Sequence, residues 1–281
     1  MNFSADGPAP VGPEAQNGLP GAAARAAAPT VLALENVTKS FGGFIAVKDV
    51  SVEFTEGGVY GIIGPNGAGK TTLFNLLSGF LKPTSGQLKH RGQDVTRLSP
   101  ERIARRGVVR SFQITSIFGN LTIAENLVLP IQRREEGGTA FLSRGRGDLR
   151  YGEEIDGLLT QVGIPVEWRD RPANALPYGL KRSLELGISL AAKPDLLLLD
   201  EPTAGMTMQD IKRVTDLIER IAVGRTVIVV EHNLGVIADL AKEIVVMQQG
   251  QVLTRGAYDE VRRDQRVIDA YLGTRGAHGH A

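Results

Sequence analysis

Apolar positions come in two alternating kinds along this chain: short continuous runs, and longer stretches repeating at helical spacing. Val31–Leu34, Phe44–Val47 and Val50–Phe54 read as short strands with partial alternation, and Val59–Ile63 reads as a buried strand. Leu73–Leu77 then opens a helix. Lys82–Gly86 is a turn, and Gln87–Val95 suggests a small hairpin. Ser99 and Pro100 mark a helix start as N-cap and first helical residue. Gly107–Phe112 reads as a strand ending in Gln113, and Thr122 with Glu125 three residues on predicts a capped helix. Glu135 to Asp148 is glycine-rich and charged, a loop between helices. Tyr151–Val162 and about Gly179–Lys193 are helical, the latter with Leu180, Leu184 and Ile188 on one stripe. Pro165–Leu176 between them is irregular.

The last third returns to strand and helix in turn. Leu196–Leu199 and Thr226–Val230 read as buried strands. Gln209–Ala222 between them carries Ile211, Val214, Leu217, Ile218 and Ile221 as a core stripe. Ile244–Met247 and Gln251–Leu253 are further strands, followed by terminal helices through Leu272. The expected organisation is one ordered domain over 31–273, with a helical insertion at about 113–193. Met1 to Thr30, rich in Pro, Ala and Gly and without a period, is expected to be disordered, and 274–281 a flexible tail.

Composition narrows this picture only slightly. The 281 residues suffice for one large or two modest domains. With 32 basic against 31 acidic residues, no global field points to a nucleic-acid partner. Cysteine is absent, which removes disulfide and thiolate chemistry. The longest apolar runs fall far short of a membrane span, which needs roughly 18 residues or more. The chain reads as soluble, and its start lacks the pattern of a secretory signal.

The chemistry is concentrated at a few places. Gly64-Pro65-Asn66-Gly67-Ala68-Gly69-Lys70-Thr71, followed by Thr72, fits the P-loop pattern and sits between a strand and a helix, as that motif requires. Glycines let backbone N–H groups close around phosphate oxygens, and the helix N-terminus adds unpaired donors. Lys70 would reach the β- and γ-phosphates, and the Thr71 hydroxyl would ligate Mg²⁺. Binding of a nucleoside triphosphate follows. Asp200 and Glu201 close a buried strand at the edge where parallel sheets bind ligands. The first suits Mg²⁺, directly or through water, and the second a general base on water. His232, ending the next strand, is placed to touch the γ-phosphate. Phe41, before Gly42-Gly43, either stacks on an adenine or packs in the core at a strand end; on the residues alone, packing is slightly preferred.

Together, the P-loop, Gln113, Leu176-Pro177-Tyr178-Gly179, Leu199-Asp200-Glu201-Pro202-Thr203 and Glu231-His232 resemble the ATPase subunit of an ABC transporter, from about Val31 to Gly273. Leu176–Gly179, Gly107–Gln113 and Ala270-Tyr271-Leu272-Gly273 resemble the branched-chain amino-acid importer subfamily and the related urea and amide importers. The resemblance implies an α/β fold of the P-loop ABC ATPase type: a mainly parallel core sheet, an antiparallel β subdomain and a helical subdomain. It implies ATP and Mg²⁺ as ligands. It makes Phe41 the adenine-stacking aromatic, which reverses the packing preference. Gln113 becomes a sensor of Mg²⁺ and the attacking water, Glu201 the general base and His232 the γ-phosphate switch. Asn66, Gly67, Ala68 and Gly69 belong to the phosphate cradle. Tyr178 and Gly179 offer backbone to ATP bound in the opposite subunit.

Implied partners are transmembrane permease subunits, a second ATPase subunit and, indirectly, an extracytoplasmic substrate-binding protein, with the chain at the cytoplasmic face of the membrane. Two positions depart from the pattern: Leu180 stands where glutamine is usual, and Thr207 where aspartate or asparagine is usual. They suggest an asymmetric pair with a second, more regular ATPase. Rival readings are a urea or short-amide importer ATPase, a soluble ABC ATPase of DNA repair or translation, and a P-loop phosphotransferase. The balanced charge and single cassette speak against the repair reading, and the want of an acceptor site against the last.

Overall fold

The computed structural model describes residues 28–111, 117–136 and 147–272. Gln113 and most of both expected tails lie outside the described residues.

Two sheets carry the fold. The first is antiparallel, in the order β2-β1-β4-β5, from β1 (Thr30–Phe41), β2 (Phe44–Thr55), β4 (Ser85–His90) and β5 (Gln93–Asp94). The second runs β10-β9-β3-β8-β7-β6. It is built from β3 (Gly58–Ile63), β6 (Val108–Arg110), β7 (Leu196–Asp200), β8 (Thr226–Val230), β9 (Glu243–Gln248) and β10 (Gln251–Gly256). All of its pairings are parallel except that of β10 with β9. Its central strands are apolar throughout because both faces are covered. Leu197, Leu199, Val227, Val229, Ile244 and Val246 face one hydrophobic cluster. Leu196, Leu198, Ile228, Val230, Val245 and Met247 face the other, shared with the antiparallel sheet and α1 (Lys70–Leu77). The period of two thus distributes a single apolar run over two cores.

The first of those clusters takes the helices α3 (Ile123–Glu136), α4 (Gly147–Val162), α5 (Tyr178–Ala191), α6 (Met208–Ala222) and α7 (Leu234–Leu240). The short α2 (Pro100–Ala104) precedes β6, and α8 (Tyr258–Val261) and α9 (Gln265–Leu272) close the chain. Capping follows the sequence signals. Ser99 accepts from Arg102 N–H, and Thr122 and Glu125 form a reciprocal capping box, Thr122 N–H donating to the Glu125 carboxylate and Glu125 N–H to the Thr122 hydroxyl. The stripe of α6 is buried at Val214, Leu217, Ile218 and Ile221.

Several boundaries differ from expectation. Phe44–Val47 and Val50–Phe54 form one strand, and β1 runs from Thr30 to Phe41 instead of stopping at Leu34. The pairing survives its polar interruption because Asn36 (φ 51°) and Asp49 (φ 50°) take left-handed bulge positions facing each other, with Asn36 Nδ2 donating to Asp49 Oδ1 at 3.0 Å. Ser51 and Thr38 side chains accept the backbone N–H groups of Asn36 and Asp49 that the bulges free. The loop expected from Glu135 to Asp148 is shorter at both ends, since α3 reaches Glu136 and α4 begins at Gly147. The stretch Pro165–Leu176 contains single tight turns at Val166–Trp168 and Ala173–Ala175.

Candidate functional site

The loop Gly64–Gly69 leaves β3 and feeds α1, clamped from two sides. Gly250, in the tight turn between β9 and β10, donates its N–H to Ala68 O at 3.0 Å, while Lys48 N–H donates to Gly250 O at 2.8 Å. Glycine is required where the clamp is closest. Gly64 (φ 154°) would drive a Cβ into the Met247 carbonyl, and Gly69 (φ 96°) into the Ala46 carbonyl of β2. Asn66 and Gly67 form the exposed tip, and Ala68 is buried beneath. Lys70 is folded back into its own loop, Nζ donating to Gly64 O at 2.7 Å and to Pro65 O at 3.0 Å. Burial holds its ammonium below the usual range, opposed by nearby Glu201. Behind the loop, α9 brings the Tyr271 hydroxyl to the Gly64 backbone; burial pushes that phenol up to about 12, with the Gly64 hydrogen bond opposing.

The carboxylates arrive on neighbouring strands. Asp200 pairs with Val230 across β7 and β8, and Val230 with Ile62 across β8 and β3, so three strands end at one edge beside the loop. Asp200 is 2% exposed, and burial pushes its carboxyl up against the opposing pull of Arg110. Glu201 turns the chain sharply at φ 45°, its N–H donating to Val230 O at 2.9 Å. That left-handed backbone costs a non-glycine residue about 1–2 kcal/mol. The turn aims the side chain at β8, where Glu201 Oε1 lies 2.7 Å from His232 Nε2. The expected base and switch residues are thus in direct contact.

Two residues to which the sequence reading assigned no role hold this edge together. Glu231, 3% exposed, accepts Thr203 N–H at 2.9 Å, the Thr203 hydroxyl at 2.7 Å and His232 N–H at 3.1 Å. It ties the segment after Glu201 to the end of β8. Arg110, at the end of β6, donates through Nη2 to Asp200 Oδ2 at 2.9 Å and through Nη1 to Asn75 Oδ1 of α1 at 2.6 Å. A charge inside the apolar stretch Gly107–Phe112 was the available signal for Arg110. For Glu231 it was an acid directly after a wholly apolar strand.

The remaining expected residues are spread around this centre. Thr71 and Thr72 occupy the first turn of α1, whose N–H groups have no intrahelical acceptors. Phe41 ends β1, 45% exposed, with Lys39 Nζ 5.0 Å from its ring centroid. Tyr178 and Gly179 open α5 on a different element, Tyr178 exposed and the helix without a side-chain cap. Leu180 packs against the main core. Thr207 N-caps α6, its hydroxyl accepting Asp210 N–H and donating to the Asp210 carboxylate at 2.8 Å. Among the described residues no cluster of three or more His, Cys, Asp or Glu is arranged to hold a metal ion. The Thr71 hydroxyl and Asp200 carboxylate are hard oxygen donors. They fit Mg²⁺ that brings phosphate ligands with it, rather than a cation held by protein alone.

Comparison with known proteins places the chain in a family. A family model described as ABC transporter matches residues 47–204, and one described as branched-chain amino acid ATP-binding cassette transporter matches residues 251–277. The chain is 36% identical over 250 residues to the high-affinity branched-chain amino acid transport ATP-binding protein LivG of Salmonella typhimurium, covering 86% of this chain and 98% of that protein. It is 35% identical over 253 residues to BraF of Pseudomonas aeruginosa, of the same description, with the same two coverages. The lipopolysaccharide export system ATP-binding protein LptB of Haemophilus influenzae is 33% identical over 248 residues, covering 87% and 98%. Among solved structures, the ADP conformation of an ATP-binding cassette of an ABC transporter superposes with a TM-score of 0.75 at 29% identity, covering 87% of this chain and 99% of that one. This chain belongs to the ATP-binding cassette family of ABC transporters and is a transport-coupled ATP hydrolase.

Proposed function

We propose that this chain is the motor subunit of an importer for branched-chain or related hydrophobic amino acids, working peripherally at the cytoplasmic face of the membrane. The observation that carries the cargo class is the C-terminal match at 251–277, beside the likeness to LivG and BraF over most of the chain. The likeness to LptB, named for export of a different cargo, fits a motor that does not itself read what is carried.

The roles proposed for the site follow from its chemistry. Lys70 leaves the Gly64 and Pro65 carbonyls for the β- and γ-phosphates, and the loop and α1 amides enclose them. Thr71 and Asp200 would hold the magnesium of Mg–ATP, and Gln113 is the residue that would sense it and the attacking water. Mg²⁺, when bound, screens the phosphate charge that builds up during transfer. Glu201 orients and deprotonates the attacking water, and His232, already in contact with it, reports the γ-phosphate. Phe41 stacks on the adenine.

Hydrolysis then becomes movement through a partner subunit. Tyr178 and Gly179 present the open start of α5 to ATP held by that partner, so closure lasts only while the γ-phosphate does. Thr207 spends its hydroxyl on its own helix and presents neither the carboxylate nor the amide usual at that position. The favoured partner is therefore a second, different ATPase. A tight ATP-dependent dimer of purified Glu201→Gln protein alone would remove that preference. A cleft of about 680 Å³ between α2–β6 and α3–α5, lined by Phe80, Val109, Arg110, Pro130, Arg133 and Ile188, is the proposed seat of the permease.

The test is uptake in cells lacking this subunit, offered labelled leucine, isoleucine, valine and urea separately. Each strain is complemented with wild type or Glu201→Gln. Amino-acid uptake restored only by wild type supports motor, base and cargo together. Restoration of urea uptake alone keeps the motor and replaces the cargo. Intact uptake of all four in the deleted cells would overturn the importer reading.

A further inference from the structure

We propose that Arg110 is a positioning residue that occupies the Asp200 carboxylate in the nucleotide-free protein and that a divalent cation must displace, so that cation capture depends on nucleotide. The proposal rests on the reading of Asp200 as the carboxylate that faces the magnesium of Mg–ATP.

The side chain is built into the edge from three directions. Its guanidinium is 13% exposed and forms the ion pair with Asp200 at 2.9 Å, Asp200's only one among the described residues. Nη1 reaches Asn75 Oδ1 at 2.6 Å and the Ser78 hydroxyl at 3.4 Å, both at α1. The ring of Phe74 lies 4.8 Å from the guanidinium carbon, and that of Phe80 5.4 Å. These other contacts do not depend on Asp200, so Arg110 keeps a seat when it gives the carboxylate up. Nε is buried with no hydrogen-bond partner among the described residues, so its donors are not all committed here.

Charge decides the competition. Mg²⁺ requires a near-octahedral oxygen shell and gives up water reluctantly, so it needs unobstructed oxygens. A guanidinium and a divalent cation on one buried carboxylate repel each other strongly, because little solvent screens them. Alone, a cation gains too few protein ligands to expel the arginine. Arriving with phosphates, it brings most of its ligands and can. The pair also keeps Asp200 from being a buried charge without a partner before nucleotide arrives. Arg110 also lines the cleft proposed for the permease.

The experiment titrates Mn²⁺, read by the resonance signal of the free ion, into nucleotide-free wild type, Arg110→Gln, Arg110→Lys, Asp200→Asn and the Arg110→Gln/Asp200→Asn double variant. Arg110→Gln should bind Mn²⁺ roughly ten-fold tighter than wild type, within the usual range for two ligands coupled at one protein. The gain should vanish in the double variant, and Arg110→Lys, which keeps a cation, should stay near wild type. Equal or weaker Mn²⁺ binding by Arg110→Gln would overturn the counter-ion role and leave an ordinary structural ion pair. Wild type alone gives a second check. Mn²⁺ binding to the protein that is Asp200-dependent and, after correction for Mn²⁺ held by ATP without protein, as tight without ATP as with it would overturn the proposal even if Arg110→Gln failed to fold. If Asp200→Asn bound Mn–ATP as tightly as wild type, after correction for Mn²⁺ held by ATP without protein, the assignment of Asp200 itself would fall.

Discussion

Glu231 offers a sharp test of how the catalytic edge is held. Its carboxylate is 3% exposed and accepts three hydrogen bonds, from Thr203 N–H, the Thr203 hydroxyl and His232 N–H. Glu231→Ala removes all three and leaves two buried Thr203 donors without an acceptor. Hydrogen bonds to an ionised group are worth about 1.5–3 kcal/mol each, and an orphaned buried donor costs about 1–3 kcal/mol. The terms overlap, so the expected loss is about 2–4 kcal/mol, set by the orphaned donors. Glu231→Gln keeps an acceptor for Thr203 but turns its amide toward His232 N–H, donor against donor, for about 1–2 kcal/mol. Urea unfolding followed by far-UV circular dichroism reads this directly. With a slope of about 2–3 kcal/mol per molar, the alanine variant should lose about 1–2 M in midpoint. ATP binding should survive better than hydrolysis, because the P-loop is built without Glu231 while Glu201 and His232 flank it. An unchanged urea midpoint and unchanged turnover in Glu231→Ala would refute the reasoning.

Other expectations follow from the same geometry. Gly69→Ala should abolish ATP binding, measured with a fluorescent analogue, since the φ of 96° and the Ala46 carbonyl leave no room for a Cβ. Normal binding would show that the loop relaxes at little cost. Tyr271→Phe removes the hydroxyl resting on the Gly64 backbone and should lower stability by about 1 kcal/mol, read by thermal unfolding, with a several-fold weaker ATP affinity. Glu154 is held below its usual range chiefly by Arg134, which bridges it to the end of α5 through Ala191 O. A depressed carboxyl adds stability above its unfolded value of 4.5 that is lost as pH falls through the folded one. Glu154→Gln should therefore be destabilised by about 0.5–1 kcal/mol at pH 7, discounted for partial exposure, and converge with wild type in acid. A gap that persists in acid once the folded carboxyl is itself protonated would assign the loss to packing instead.

Much of this protein is local and was legible in the chain. The P-loop announces itself because phosphate contact demands backbone donors without side chains, and that demand is met by consecutive residues. The caps at Ser99 and Thr122 and the stripe of α6 are equally local, since helices satisfy their hydrogen bonds within themselves. What adjoins what across the sheet was another matter. β1 and β2 outran their apolar patterns because each bulge is satisfied by the partner strand, a cross-chain exchange that no window along the sequence contains. Arg110 and Glu231 escaped notice for a similar reason. A charge in an apolar stretch has no meaning until its counterpart, Asp200 some ninety residues on or Thr203 on the adjoining strand's exit, is known. The sequence by itself determined which groups this protein brings to a phosphate. Tertiary structure alone decided which buried charges hold those groups in place, because burial makes each depend on neighbours distant along the chain.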